Sequence, residues 1–244
     1  MAKYSEIAIE KSMRLIAKVV AAGRLKTIAS GVEHLPDRGP ILIVARHYHH
    51  LYDGVALAAA IPRPFHILVT LDWLRSRGGK LLMGALTTVA RWPVILRADA
   101  VALAEGGGAS VFSSRDVVHY QRNALRQAVD ILVEGRILVI FPEGYPNIDP
   151  TYTPKTRPDE FLPFKPGFVT IIVAAEKRLK REIPIIPAGL RYTPAKPWVA
   201  HLKFGKANYR KNFVDSLKLV ANLETSVREL SAVERGILKG NALG

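Results

Sequence analysis

The chain has 244 residues, 49% of them hydrophobic, which suits one large domain with a sizeable buried core and argues against disorder. It contains no cysteine, so structural disulfides, thiolate metal sites and a cysteine nucleophile are excluded. A formal charge of +14, from 35 Lys+Arg against 21 Asp+Glu, attracts polyanions such as nucleic acid, anionic lipid or a phosphorylated ligand.

Residues 5–26 read as an amphipathic helix. Glu6, Glu10, Arg14 and Lys18 share one face, and Ile9, Met13, Ile16 and Val20 define another. Such a helix either packs on a core or lies in a bilayer interface. Gly23 is placed to end it. The turn-rich stretch 33–40 leads into ILIVA (41–45), a buried strand. A His-rich segment follows, then an apolar helix near 53–61 and a second strand, FHILVT (65–70). Next come a helix through KLLMGALTTVA (80–90), a short strand near PVIL (93–96) and a flexible loop, EGGGAS (105–110). Residues 115–135 form a helix with Gly135 at the C′ position. RILVIF (136–141) is a strand that runs straight into Pro-Glu-Gly. The proline-rich stretch 145–167 is a loop, 168–180 a helix, 183–190 and 198–205 strands, and the last 40 or so residues a polar helical tail. Alternating strands and helices imply an α/β fold. The expected architecture is a single domain with a mixed, mostly parallel sheet flanked by helices. It divides into an N-terminal helical segment (1–30), the α/β unit (31–210) and a C-terminal helical tail on the same unit (211–244).

No apolar stretch reaches the roughly 20 residues a membrane span needs, and the start lacks signal-peptide order. Any membrane contact is expected to be peripheral. The basic residues are scattered, with KRLKR (177–181) the one tight cluster, and no zinc-finger spacing or aromatic RNA-binding motif occurs. A nucleic-acid partner is therefore not expected.

Four segments could carry chemistry. ARHYHHLYDG (45–54) places three histidines and an aspartate after a buried strand, where α/β folds commonly hold reactive groups. A histidine near neutral pKa can take a proton from a hydroxyl, and a carboxylate on its far nitrogen fixes the tautomer. Asp53 is the nearby acid. His49 reaches it at i, i+4 and His50 at i, i+3, while His47 does so if the turn folds back. The cluster also admits a zinc reading, although no HExxH pattern occurs, and a purely structural one. FPEG (141–144) presents Glu143 at a strand's carboxyl end, suited to a hydroxyl or ammonium-bearing ligand, with Gly144 allowing a tight turn. Lys165, between prolines in LPFKPG (162–167), could bind a phosphate as a point charge. Arg97, after the strand near 93–96, could grip a phosphate bidentately.

Together, in order and spacing across about residues 30–205, these segments resemble the glycerolipid acyltransferase family, whose type member is 1-acylglycerol-3-phosphate acyltransferase. GVEHLPDRGPILIVARH resembles the family's run-in, FPEG its third motif and FKPG (164–167) its later Phe-Lys-x-Gly. PIIPAGL, centred on Pro187, resembles its fourth motif, HLKFGK (201–206) its late strand, and Arg97 the arginine ending its second motif. The chain departs from the family in three places. The H-x4-D register puts Tyr48 at the histidine position, Arg46 replaces the usual asparagine, and Tyr-Pro-Asn follows FPEG.

The resemblance implies acyl transfer from acyl-CoA or acyl-carrier protein to a lysophospholipid or glycerol phosphate, at the cytoplasmic face of an anionic membrane and without a cofactor or metal. It implies His47 as the base, with His49 as alternative, oriented by Asp53. It implies Glu143 and Gly144 at the acceptor site, and Arg97 and Lys165 on the acceptor phosphate.

Overall fold

The computed structural model describes residues 19, 21–107, 111–149 and 152–232. In chain order its elements are β1 (Leu25–Ser30), β2 (Ile41–Ala45), α1 (Tyr52–Ala60), β3 (Phe65–Ile67), β4 (Val69–Thr70), α2 (Arg77–Val89), β5 (Val94–Ile95) and α3 (Ala98–Gly106). They continue with α4 (Ser114–Val133), β6 (Ile137–Ile140), α5 (Gly167–Leu179), β7 (Ile185–Thr193), β8 (Trp198–Phe204) and α6 (Ser216–Ser231).

Six strands form the main sheet in the order β1-β8-β7-β2-β6-β3. Only the β7–β8 pair is antiparallel. The expected α/β class and mostly parallel sheet are both present. Central position explains why β2 is apolar at every residue, since helices cover both faces of a parallel sheet. Ile41, Ile43 and Ala45 pack with Val55, Ala56 and Leu57 of α1. Leu42 and Val44 face the opposite core, with Ile131 and Leu132 of α4, Ile172 of α5 and Leu223 of α6. Gly189 in β7 lets α6 approach closely, because a Cβ there would collide with the Leu230 backbone.

Three elements differ from the sequence reading. Strand β1 carries no apolar run that marks it in the sequence: Lys26, Ile28, Ala29 and Ser30 are exposed, and pairing with β8 makes it an edge strand. FHILVT divides after Ile67. β3 pairs with β6, whereas β4 pairs with β5 in a separate two-stranded sheet. Helix α3 occupies the alanine-rich stretch before the glycine run, so the first two residues of the expected 105–110 loop are helical. Helix α4 begins at a capping box between Ser113 and Asp116, and Gly135 (φ 77°) follows it as the left-handed C′ residue. Of the expected N-terminal amphipathic helix (5–26), residues 5–18 and 20 lie outside the described residues, and the C-terminal tail is described to residue 232.

The topology fixes where chemistry can occur. β2 and β6 are adjacent and parallel, with Val44 opposite Ile140. Their carboxyl ends therefore deliver the 46–53 segment and the FPEG turn to one edge of the sheet.

Candidate active site

His47 leaves β2 in an extended turn, and Asp53 sits in the first turn of α1. The His47 Nδ1 atom lies 2.8 Å from Asp53 Oδ2. The same oxygen accepts the Tyr48 backbone N–H at 2.7 Å, and Oδ1 accepts the His49 N–H at 3.0 Å and the Tyr192 hydroxyl at 2.7 Å. Four donors thus converge on a carboxylate that is only 1% exposed. With Nδ1–H donated to Asp53, Nε2 is left as the acceptor. The imidazole stacks on Phe141 at 4.3 Å, so the strand that carries FPEG also sets the plane of the ring.

His49 is placed differently. Its Nδ1 accepts the backbone N–H groups of Leu51 and Tyr52, and its ring stacks on Tyr52 at 4.2 Å. Burial, reinforced by the neighbouring His50, holds its pKa down to about 4 from the usual 6.5. Between those values the unfolded chain binds a proton that the folded chain refuses, so stability falls as pH drops from about 6.5 to about 4. His49→Gln is expected to flatten that decline, read as the denaturant midpoint across this pH range. His50 is exposed, with Nδ1 3.3 Å from the Ile148 carbonyl.

Glu143 is fully buried. Its Oε1 accepts the His47 backbone N–H at 3.0 Å and its Oε2 the Leu162 N–H at 3.1 Å. Oε2 also meets the Lys155 ammonium at 2.6 Å, both side chains being 0% exposed. Lys155 further donates to the His47 carbonyl at 3.0 Å and to Asn147 Oδ1 at 3.2 Å. Burial lowers the Lys155 pKa and the Glu143 carboxylate opposes that shift. The carboxylate therefore faces inward, where it braces the backbone of His47. Arg46, in place of the family's asparagine, lies over the Phe161 ring at 4.2 Å and donates to the carbonyls of Leu190 and Pro158.

Gly144 joins the two halves of the site. It has φ 77°, and a Cβ there would lie 3.4 Å from Lys165 Nζ. Its carbonyl accepts from Arg97 Nη1 at 2.9 Å. Arg97 is buried and forks onto Asp72, through Nε to Oδ2 at 2.9 Å and Nη2 to Oδ1 at 2.5 Å. Burial opposes its charge, but the hydrogen bonds and charge of Asp72 outweigh that and raise its pKa. Three of the five guanidinium hydrogens are engaged in these bonds. The guanidinium lies 3.9 Å from the Tyr145 ring centroid, and the exposed Lys165 ammonium 5.6 Å from the same ring. Two cations thus flank one aromatic ring beside Gly144.

All the residues singled out in the sequence gather at this edge of the sheet, His49 with a different partner. Asp72, Lys155 and Tyr192 join them without having been singled out. Each is distant in sequence from the group it serves, and no local pattern marks it. Among the described residues, no three His, Asp or Glu side chains are arranged to hold a metal ion, and no helix is long and apolar enough to cross a membrane.

The acyltransferase family model matches residues 26–191, more than half of the chain. The crystal structure of the 1-acyl-sn-glycerophosphate (LPA) acyltransferase PlsC from Thermotoga maritima is similar, with a TM-score of 0.61 and 17% identity, over 96% of this chain and 84% of that one. At that identity the likeness shows a shared fold. A search of curated proteins returns no match. The His47–Asp53 pair stands beside the FPEG turn on that fold, within the matched span: the chain belongs to the acyltransferase family.

Proposed function

We propose that this acyltransferase esterifies a lysophosphatidate or similar glycerolipid, taking the acyl group from acyl-CoA or acyl-carrier protein at the cytoplasmic face of an anionic membrane. Residues 31–210 carry the chemistry, and 1–30 contribute to membrane contact. The observation that carries the reading is the His47–Asp53 contact of 2.8 Å, with the carboxylate buried and the ring held on Phe141.

In this reaction the acceptor hydroxyl oxygen attacks the thioester carbonyl carbon while its proton passes to His47 Nε2. Asp53 stabilises the resulting imidazolium and keeps the proton on Nδ1. The tetrahedral intermediate collapses, the C–S bond breaks, and the proton on Nε2 moves to the departing sulfur. The products are an ester and a free thiol, with no covalent enzyme intermediate. Arg97 offers its two remaining guanidinium hydrogens and Lys165 a point charge to the acceptor phosphate. The fold shared with an LPA acyltransferase supports that acceptor class.

The test is thiol release from a long-chain acyl-CoA across a panel of lysolipids. Release that depends on lysophosphatidate and is weaker with neutral lysolipids is expected. Absence of acceptor-dependent release from acyl-CoA and acyl-carrier protein alike would leave a non-catalytic lipid-binding role. Lys165→Gln is expected to raise KM for the phosphorylated acceptor about five- to tenfold with little change in kcat, as one exposed charge-assisted contact is removed. An equal effect on a phosphate-free acceptor would remove Lys165 from this role.

A further inference from the structure

Helix α2 is amphipathic with its apolar side turned outward. Leu81, Leu82, Leu86 and Val89 are 79, 61, 53 and 56% exposed. At 100° per residue these four and the exposed Ala85 fall within an arc of about 140°. Thr87 is the one buried residue of the helix, and with Gly84 and Thr88 it faces a cavity shared with His119 and Asn123 of α4. A surface helix packed for stability alone would be turned the other way. Three leucines and a valine on one exposed face form a patch of the kind that marks an interaction site.

The surroundings specify the partner. Arg75 and Arg77 are exposed beside the N-terminus of α2, and Arg75 donates through Nη1 to the Asp72 and Leu74 carbonyls. Cations there are disfavoured by the helix dipole, so they contribute little to the stability of the helix. Trp73, on the same approach, is 39% exposed, with its indole N–H donated to the Thr70 carbonyl. An apolar face rimmed by arginine and tryptophan matches an anionic lipid interface. The face is also tied to the phosphate-binding end of the site. Asp72, which grips Arg97, immediately precedes Trp73, and Arg97 lies two residues beyond β5. The N-terminal segment enters the fold at β1, the opposite edge of the sheet from β3.

We propose that α2 is a membrane-docking helix, inserting Leu81, Leu82, Leu86 and Val89 into an anionic bilayer while Arg75 and Arg77 engage its phosphates. This deepens the acyltransferase reading by naming the surface that brings the acceptor site to lipid, and rests on that reading for the purpose of the contact. Docking here lets a lysolipid move from the bilayer to Arg97 without crossing water.

The experiment uses the full chain and vesicles of phosphatidylcholine with or without phosphatidylglycerol. Cosedimentation should favour the anionic vesicles. The variant Leu82→Ser/Leu86→Ser/Val89→Ser should lower the partition coefficient about tenfold or more, because three apolar side chains no longer leave water. Its melting temperature and its thiol release with a water-soluble short-chain lysophosphatidate should stay as in the wild type, while turnover of vesicle-embedded acceptor falls. Arg75→Glu/Arg77→Glu should remove the preference for phosphatidylglycerol. Unchanged vesicle binding by the triple variant, or no binding by the wild-type chain, overturns the proposal. So does light scattering that shows the triple substitution splitting a dimer without altering vesicle binding, since a second copy would then cover the face. If the vesicle results hold but neither acceptor supports thiol release, docking stands and the acyltransferase reading fails.

Discussion

Replacing His47 by alanine is expected to lower kcat/KM for acyl transfer by roughly 10²- to 10⁴-fold, the usual contribution of a positioned general base. His49→Ala should leave the rate nearly unchanged. The two histidines are separated by geometry. His47 Nδ1 is 2.8 Å from Asp53, which leaves Nε2 as acceptor, whereas His49 spends its Nδ1 lone pair on the Leu51 and Tyr52 N–H groups. Losing those bonds costs about 1 kcal/mol of stability and no catalytic proton transfer. With its pKa held down to about 4, His49 is also too weak a base near neutral pH to compete for the hydroxyl proton. Thiol release by the two alanine variants, normalised to folded protein, decides the matter. A slow His49 variant beside an active His47 variant would overturn the assignment.

Asp53→Asn separates orientation from charge. The asparagine amide can turn its NH2 group toward Tyr192, whose hydroxyl rotates to accept, while its carbonyl stays toward His47. One conflict remains, with the His49 backbone N–H that Oδ1 now accepts. The ring keeps a partner but the imidazolium loses its counter-charge, so the rate falls while the fold survives. A rate unaffected by this change would mean that Asp53 serves only to shape the turn.

The sequence made the sheet legible where burial is two-sided. ILIVA and RILVIF are continuous apolar runs because β2 and β6 are covered on both faces. β1 is not legible in this way, because an exposed edge strand carries no such run. Of the site, FPEG and Asp53 could be found by local pattern, but the partner of Asp53 could not. The i, i+4 rule favours His49, yet it applies within a helix, and residues 47–51 precede the helix that begins at Tyr52. The turn instead wraps around Asp53, bringing the Tyr48 and His49 N–H groups onto the same carboxylate as the His47 ring. α2 shows a further limit. Periodicity reveals that a helix has an apolar face but does not tell what that face meets.

Lys155→Met is expected to destabilise the protein by about 3–5 kcal/mol, the range for leaving one member of a buried ion pair without its partner. Nothing in the proline-rich loop marks this lysine, yet its ammonium is 2.6 Å from Glu143 with both side chains 0% exposed. It also donates to the carbonyl of His47, whose N–H is bound by Glu143. The proposed base is therefore held from both sides of its own backbone by one ion pair. In the methionine variant the buried Glu143 carboxylate that holds the His47 N–H is left without its counter-charge.

Glu143→Gln creates the opposite defect, a buried lysine without its counter-charge. The folded Lys155 pKa is already lowered by burial, and loss of the carboxylate lowers it further. Across the window between that depressed value and the unfolded value, the unfolded chain binds more protons. Stability of this variant therefore rises as pH rises. The double variant carries neither buried charge and should be less destabilised than the sum of the two single changes, by at least about 1 kcal/mol in a double-mutant cycle. Denaturant midpoints of the four proteins across pH 6 to 10, about the range in which a lysine of depressed pKa titrates, measure both effects. Additive single changes, or a pH-independent Glu143→Gln variant, would mean that the pair is not coupled as its geometry requires. If the pair positions His47, the double variant should recover stability ahead of activity. The introduced glutamine can still accept the His47 N–H, but nothing then replaces the ammonium on the His47 carbonyl.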